Sequence, residues 1–162
     1  MADIVCNTSP LQYLHQLDLL RLLPALAQSI TVPPAVVEEL DEGRSSGIDV
    51  PDPRSFDWIR IRTPTSISAL PLIHDLGPGE TEVLMLALES PGAVAVIDDR
   101  VARETARVLG IPFKGTLGVL LDAKRVGHLP SGAPLLDRLQ GLGFRLALHT
   151  RQAILDLAGE SR

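Results

Sequence analysis

The apolar run at residues 93–97, AVAVI, ends directly at two aspartates, Asp98 and Asp99. An uninterrupted apolar run of this length is typical of a parallel strand whose two faces are both buried. Such a strand lies inside a sheet that helices cover on both sides. This one run therefore predicts an α/β fold, and it places two carboxylates at the carboxyl end of a central strand.

The rest of the chain alternates strand-like and helix-like segments, as a parallel sheet requires. Further strands are predicted at residues 3–6, 29–32, 58–62 and 111–113, with a short one near Phe144. Apolar spacing and terminal proline or glycine residues predict the helices. Two segments are expected to be helical after Pro10 and after Pro34, and further helices are expected at residues 77–88, 100–109, 115–126, 132–142 and 150–158. We therefore expect an α/β fold with a mostly parallel central sheet, in a single domain spanning residues 1–162.

Composition excludes several classes of protein. The chain is 45% apolar and 22% charged, which suits one soluble globular domain. No stretch approaches 18 apolar residues and the start does not resemble a signal peptide, so a membrane span is excluded and a cytoplasmic location is expected. The single cysteine, Cys6, excludes an internal disulfide and a cysteine-rich zinc site. No nucleotide-binding, zinc-protease or serine-hydrolase motif is present.

The charges are divided unevenly along the chain, although the net charge is only −5. Residues 1–99 contain 15 acidic and 5 basic residues, whereas residues 100–162 contain 5 acidic and 10 basic ones. Arg100, Arg103 and Lys114 could hold the phosphates of a nucleic acid beside an acidic pocket. The alternative is a solvated surface with ion pairs such as that between Arg100 and Glu104.

One amide and two carboxylates come directly after strands of the predicted sheet. Asn7 follows the first strand, and Asp98 and Asp99 follow the central apolar strand. In open parallel sheets, binding sites form in the crevice beyond the carboxyl ends of the strands. These three side chains are therefore expected at one edge of the sheet.

Two of the predicted helices can each add one carboxylate to this edge. On a helical wheel, Glu80 lies on the same side as the apolar residues that follow it, whereas Glu82 points away. In an earlier helix, Glu39 lies nearer the apolar stripe than Glu38, which faces almost opposite. Glu39 and Glu80 are therefore the better candidates for a site.

Each of these candidates also has an ordinary structural interpretation. Glu80 suits the first turn of a helix, Asp98 or Asp99 could cap the helix that begins at Arg100, and Asn7 could hold a turn. Several carboxylates at one edge repel one another, however, unless a cation neutralises them. Oxygen ligands suit Mg²⁺ or Mn²⁺, which can activate water for phosphodiester hydrolysis. The hypothesis is a metal pocket formed by Glu39, Glu80, Asp98 and Asp99, with Asn7 beside it.

The order of these landmarks resembles the PIN-domain family of Mg²⁺-dependent nucleases, which includes the toxins of VapBC-type toxin–antitoxin pairs. Five segments carry the resemblance: VCNTSPL at 5–11, VVEEL at 36–40, GPGETE at 77–82, IDDR at 97–100 and GTLGVL at 115–120. They resemble a PIN-like branch of predicted nucleic-acid-binding proteins, from residue 3 to about residue 158. The resemblance implies a three-layer α/β/α sandwich with an acidic pocket, a Mg²⁺ or Mn²⁺ cofactor and RNA as the substrate.

The resemblance also assigns positions to the candidate residues. Asn7 stands where most PIN nucleases have their first aspartate, Glu39 matches the second acid and Glu80 the third, and Asp99 or its neighbour Asp98 matches the last. An asparagine keeps an oxygen that can bind a metal, but it brings no negative charge.

Three functions follow as alternatives. The first is a metal-dependent ribonuclease, as the toxin of a toxin–antitoxin pair, for which the resemblance implies an antitoxin protein as a partner and a homodimer. The second is a PIN-like domain that binds nucleic acid without efficient cleavage, because Asn7 weakens the site. The third is a protein-interaction module with a vestigial acidic patch.

Overall fold

Five short parallel strands form the centre of the computed structural model, which describes residues 1–65 and 76–160. The strands are β1 (Asp3–Cys6), β2 (Ser29–Val32), β3 (Ile59–Ile61), β4 (Val94–Val96) and β5 (Phe113–Lys114). They lie in the order β3-β2-β1-β4-β5, and every neighbouring pair is parallel. The strand order reverses between β1 and β4, and the crevice beyond such a reversal is where open sheets bind their ligands.

Eight α-helices in the described residues flank this sheet. They are α1 (Thr8–Gln16), α2 (Leu22–Leu26), α3 (Pro34–Ser45), α4 (Pro78–Glu89), α5 (Arg100–Val108), α6 (Thr116–Arg125), α7 (Ala133–Gly141) and α8 (Leu148–Leu157). A short 3₁₀ helix lies at Pro53–Ser55. Among these described helices, none combines the length and the apolar character needed to cross a membrane. The architecture is the predicted α/β/α sandwich.

Burial of the central strands explains why the sheet needs helices on both faces. Successive strand residues point to opposite faces, yet Ile4, Val5 and Cys6 of β1 are all buried. Ala95 and Val96 of β4 are buried in the same way. The uninterrupted apolar run therefore corresponds to a strand enclosed between two helical layers, as the sequence predicts.

Several local predictions are wrong. The chain near Phe144 is not a strand, because Gly143 has a φ of +99° and the Phe144 ring packs edge-on against Tyr13 at 5.2 Å. β5 lies at Phe113–Lys114 rather than at residues 111–113. α1 begins at Thr8, ahead of Pro10, because a proline in the first helical turn removes no required N–H donor. α8 begins at Leu148, two residues earlier than expected.

Glu160 holds the last helix to the rest of the domain. Its carboxylate accepts hydrogen bonds from Ser131 Oγ (2.9 Å), Gly132 N–H (2.7 Å) and Ala133 N–H (3.3 Å). These bonds cap the start of α7, where no side chain of the helix's own N-cap residue does so. The pKa of Glu160 is lowered from its ordinary value of 4.5, first by the hydrogen bond from Gly132 and then by those from Ser131 and Ala133 and by the charge of Lys124.

We expect Glu160→Gln to destabilise the domain by about 1 kcal/mol at pH 7, the usual value of a helix cap. A carboxyl whose pKa is lowered by folding stabilises the protein above its unfolded pKa of 4.5, and this contribution is lost as pH falls through the folded pKa. The difference from wild type should therefore shrink as the pH falls through and below 4.5. Urea unfolding across this range measures it, and a difference independent of pH would contradict the ionic cap.

Candidate active site at the carboxyl edge of the sheet

Asn7 lies at the point where the strand order reverses. It follows β1 directly, and its N–H donates to Val96 O of β4 at 3.0 Å. The residue is only 3% exposed, and in the described part of the chain its Oδ1 is a buried oxygen without a hydrogen-bond partner. An unsatisfied buried acceptor costs about 1–3 kcal/mol. Such an atom in a native fold calls for an explanation, and a bound water or ion is among the common ones.

Glu39 reaches the same edge from α3. Its Oε1 accepts a hydrogen bond from Thr8 Oγ1 (2.5 Å), and its Oε2 accepts one from Gly79 N–H (3.1 Å). The preceding residue, Glu38, is exposed to solvent. The carboxylate of Glu39 therefore faces the turn after β1, and Glu38 faces away, as the helical wheel predicts.

Gly79 allows this close approach of Glu39. A Cβ at this position would lie 2.6 Å from Glu39 Oε1 and 2.9 Å from its carboxyl carbon. The backbone of α4 can therefore donate directly to the carboxylate only because the residue has no side chain.

We expect Gly79→Ala to destabilise the fold by about 1–3 kcal/mol, because Glu39 must leave its hydrogen bonds with Thr8 and the α4 backbone. Gly141→Ala is the matched control, since a Cβ there meets no other atom of the described structure within 4 Å. That control should be neutral or stabilising by up to about 1 kcal/mol. Urea unfolding compares the two variants, and equal stabilities would contradict the packing of Glu39 on Gly79.

Asp98 lies beyond the end of β4 and is fixed by three donors. Its Oδ1 accepts from Thr116 N–H (2.8 Å), and its Oδ2 accepts from Thr116 Oγ1 (2.7 Å) and Ser9 Oγ (3.0 Å). The bonds to Thr116 cap the N-terminus of α6, whose N-cap residue, Gly115, has no side chain to do so. A Cβ at Gly115 would lie 2.8 Å from Asp98 Oδ1. Asp98 therefore joins two helices as well as facing the candidate site.

The adjacent aspartate has a different structural role. Asp99 is the N-cap of α5, and its Oδ2 accepts a hydrogen bond from Ala102 N–H at 2.9 Å. This is the capping role that the sequence leaves open. Asp99 is exposed, so its other oxygen faces solvent beside Asp98.

Glu80 lies in the first turn of α4 and is half-buried. Within residues 1–65 and 76–160, its carboxylate makes no hydrogen bond or ion pair. Glu82, two residues later, points elsewhere, and its Oε1 accepts from Ala35 N–H at the start of α3 (2.9 Å). Glu80 is thus a carboxylate with no evident structural partner among the described residues.

A cleft of about 470 Å³ opens over three of these acids. It is lined by Ser9, Tyr13, Glu80, Asp98, Asp99, Gly143, Phe144 and Arg145. Burial, and then the charge of Asp98, raises the pKa of the Tyr13 phenol, so Tyr13 stays a neutral donor at pH 7. The same two causes raise the pKa of the buried Cys6 thiol, which is therefore no nucleophile here.

Glu39 is set apart from this cleft, on the other side of the turn that follows β1. Thr8 and Ser9 connect the two sides, because the first donates to Glu39 and the second to Asp98. In the part of the chain that the structure describes, no three His, Cys, Asp or Glu side chains are grouped so as to hold a metal ion. The atoms at this edge that could bind a metal ion are amide, carboxylate and hydroxyl oxygens, and this set of ligands fits Mg²⁺ or Mn²⁺.

A larger groove of about 1240 Å³ continues from Asp98 along the neighbouring surface. The three predicted basic residues, Arg100, Arg103 and Lys114, all line it. Arg100 pairs with Glu104 (3.3 Å), as the alternative interpretation of the sequence proposes, but its side chain is 91% exposed. Lys114 Nζ lies 2.8 Å from Asp122 Oδ2. We call this surface the basic groove.

Sequence reasoning missed several residues of these two surfaces. Arg145 and His149 line the basic groove, and Arg145 also lines the acidic cleft. Thr8 and Ser9 position two of the acids, although the sequence analysis singled out only Asn7 beside them. The sequence does contain a signal for them, because hydroxyl residues that directly follow a candidate metal ligand at a strand end can reach neighbouring carboxylates.

The fold and the site together define an α/β/α protein with an acidic site at the carboxyl edge of its parallel sheet. A family model described as a PIN domain matches residues 3–160, and the chain belongs to the PIN-domain family. Members of this family have a nuclease-type fold, interact with nucleic acids and in general depend on divalent metal ions. No curated protein is similar enough to the chain to count as a match.

Proposed function

We propose that the chain is a divalent-metal-dependent ribonuclease that hydrolyses RNA phosphodiester bonds at the acidic cleft. The observation that carries this proposal is the Oδ1 of Asn7, which is buried at the strand-order reversal and has no hydrogen-bond partner among the described residues. A divalent cation would satisfy this atom and balance the negative charge of the carboxylates at the same edge of the sheet. Membership in a family that generally depends on such ions supports the same conclusion.

The residues of the site have two kinds of role in this proposal. The groups that we propose as metal ligands are Glu80, Asp98 and Asp99 in the cleft and, at the turn after β1, Asn7 and Glu39. When bound, a Mg²⁺ or Mn²⁺ ion lowers the pKa of a coordinated water and neutralises charge on the phosphate. The hydroxyls of Thr8 and Ser9 keep two of the carboxylates in place. The protonated phenol of Tyr13 can donate a hydrogen bond to a phosphate oxygen in the cleft.

The basic groove supports RNA as the substrate because it leads a phosphate backbone to Asp98. Arg100, Arg103 and Lys114 would hold phosphates along it. The guanidinium groups of Arg103 and Arg107 lie 5.2 and 5.3 Å from the Phe113 ring centre, so this ring already has partners. Recognition in the groove should therefore depend more on the backbone than on base stacking.

Cleavage of a labelled, structured RNA in the presence of Mn²⁺ tests the proposal. Glu39→Gln should slow cleavage at least about 100-fold, because it removes one charged oxygen ligand. Glu38→Gln is the matched control on the same helix and should cleave within twofold of wild type. Chelation of the metal should stop the wild-type reaction.

Two results would contradict this account of the site. Equal rates for the two glutamate variants would remove Glu39 from it. A wild-type protein that cleaves no RNA with any divalent ion would remove the nuclease proposal.

Asn7 itself favours a second candidate function, which is nucleic-acid binding with little or no cleavage. An amide in place of a carboxylate weakens cation binding, whereas it leaves the basic groove unchanged. This candidate predicts RNA binding that falls steeply with salt and no cleavage of the bound RNA. A protein-interaction module with a vestigial acidic patch would show neither metal binding nor RNA binding.

The most specific parts of the proposal are that the chain is a toxin, that an antitoxin protein inhibits it and that it forms a homodimer. The family resemblance supports them, and the exposed apolar residues Val101 and Val108 of α5 offer a surface for the dimer. Light scattering on the purified chain tests the dimer. Co-expression with a protein encoded beside it, followed by the cleavage assay, tests for an inhibitory antitoxin.

A further inference from the structure

Arg145 lies where the acidic cleft and the basic groove meet. Together with Asp98 and Phe144, it is one of the residues that line both surfaces. A phosphate backbone that follows the basic groove toward the acids therefore passes this side chain. Arg145 is exposed and lies in the segment between α7 and α8.

The backbone on both sides of Arg145 is anchored. The ring of Phe144 packs edge-on against Tyr13 of α1, and Phe144 N–H donates to Leu139 O at 3.2 Å. On the other side, Gln140 Nε2 donates to Leu146 O at 3.4 Å. These contacts hold the irregular segment against α1 and α7, so the position of Arg145 at the mouth of the cleft is built into the fold.

The other cations of the basic groove already have partners. Arg100 contacts Glu104, Lys114 contacts Asp122, and Arg103 lies over the Phe113 ring. Arg145, by contrast, makes no side-chain hydrogen bond or ion pair with any other residue that the structure describes. Its planar guanidinium group is free to contact two oxygens of one phosphate.

We propose that Arg145 contacts the phosphate that is being cleaved and stabilises the negative charge that develops on its oxygens during hydrolysis. The proposal rests on the proposed function, because it assumes that RNA is cleaved at the acidic cleft. A hydrogen-bond donor that meets the charge developing in the transition state typically contributes about 100-fold or more to the rate. In this role Arg145 acts on the transition state and does not bind the metal ion.

Steady-state cleavage by Arg145→Ala and Arg145→Lys tests this role, with Mn²⁺ and the same RNA. Arg145→Ala should lower kcat about 100-fold with a much smaller change in KM, and its Mn²⁺ affinity should equal that of wild type. Arg145→Lys should recover part of the rate, because a point charge replaces the two-oxygen contact. Arg138→Ala is the matched control, since it removes an exposed arginine of α7 that lines neither surface.

Each outcome separates this inference from the proposed function. If wild type cleaves and Glu39→Gln does not, a kcat for Arg145→Ala within twofold of Arg138→Ala overturns the inference alone. A rise in KM with unchanged kcat also overturns it, because Arg145 would then only tether RNA. If wild-type protein cleaves no RNA, both proposals are wrong.

Discussion

Asn7→Asp should raise the affinity for Mn²⁺ at least tenfold and should destabilise the metal-free protein. The new carboxylate would occupy the place of a buried amide whose Oδ1 has no partner in the described structure. It adds a charged ligand for a cation, and charge count is a main determinant of affinity for hard cations. Without a cation, the same charge is buried near Asp98 with no compensation.

The expected loss of stability without metal and the expected gain from metal binding are large enough to be separated in one experiment. An unpaired buried carboxylate is expected to cost about 2–3 kcal/mol at pH 7. Excess metal stabilises both proteins because it binds only the folded state, and a tenfold lower Kd gives the variant about 1.4 kcal/mol more of this stabilisation than wild type. The variant should therefore melt below wild type in chelator, and the difference should shrink by about half in excess Mn²⁺.

Thermal unfolding with and without Mn²⁺ measures this signature, and the cleavage assay adds the rate. Gln28→Glu, the same chemical change at an exposed position, is the matched control and should respond to Mn²⁺ as wild type does. If Asn7→Asp is destabilised equally with and without Mn²⁺, Asn7 is not a metal ligand. If it gains RNA cleavage that wild type lacks, the chain binds nucleic acid with a weakened catalytic site.

Glu80→Gln should abolish Mn²⁺ binding and lower the cleavage rate at least about 100-fold, while the protein stays folded. Glu80 makes no hydrogen bond or ion pair within the described residues, so its removal breaks no structural contact there. Its favourable interaction with the start of α4 contributes about 0.3–1 kcal/mol. Reduced repulsion with Asp98 and Asp99 offsets part of that loss.

Urea unfolding and the cleavage assay on the same samples test this separation of function from folding. The free energy of unfolding should change by less than about 1 kcal/mol. Glu38→Gln on α3 is the control for loss of an exposed carboxylate. A Glu80→Gln protein that unfolds would show a packing or capping role, and one that cleaves like wild type would remove Glu80 from the site.

The sheet and the direction of the acids could be predicted because they depend on local patterns. A buried parallel strand has a recognisable apolar run, and its end must lie at the carboxyl edge of the sheet. Helical periodicity likewise separated Glu39 from Glu38. These features follow from the geometry of one element and need no knowledge of its neighbours.

The remaining features depend on contacts between distant parts of the chain. Periodicity cannot predict that Asp98 caps α6 whereas Asp99 caps α5, because both aspartates follow the same strand. The position of Arg145 depends on the packing of Phe144 against Tyr13. The expected strand near Phe144 fails for the same reason, since a tertiary contact and the left-handed Gly143 outweigh local propensity.

Calorimetric titration of Mn²⁺ into the wild-type protein measures whether the carboxyl edge of the sheet binds a metal ion. We expect saturable binding that Glu80→Gln removes, that Asn7→Asp strengthens and that Arg145→Ala leaves unchanged. The absence of saturable binding in wild type and in Asn7→Asp would contradict a metal site at this edge of the sheet, and the proposed hydrolysis of RNA with it.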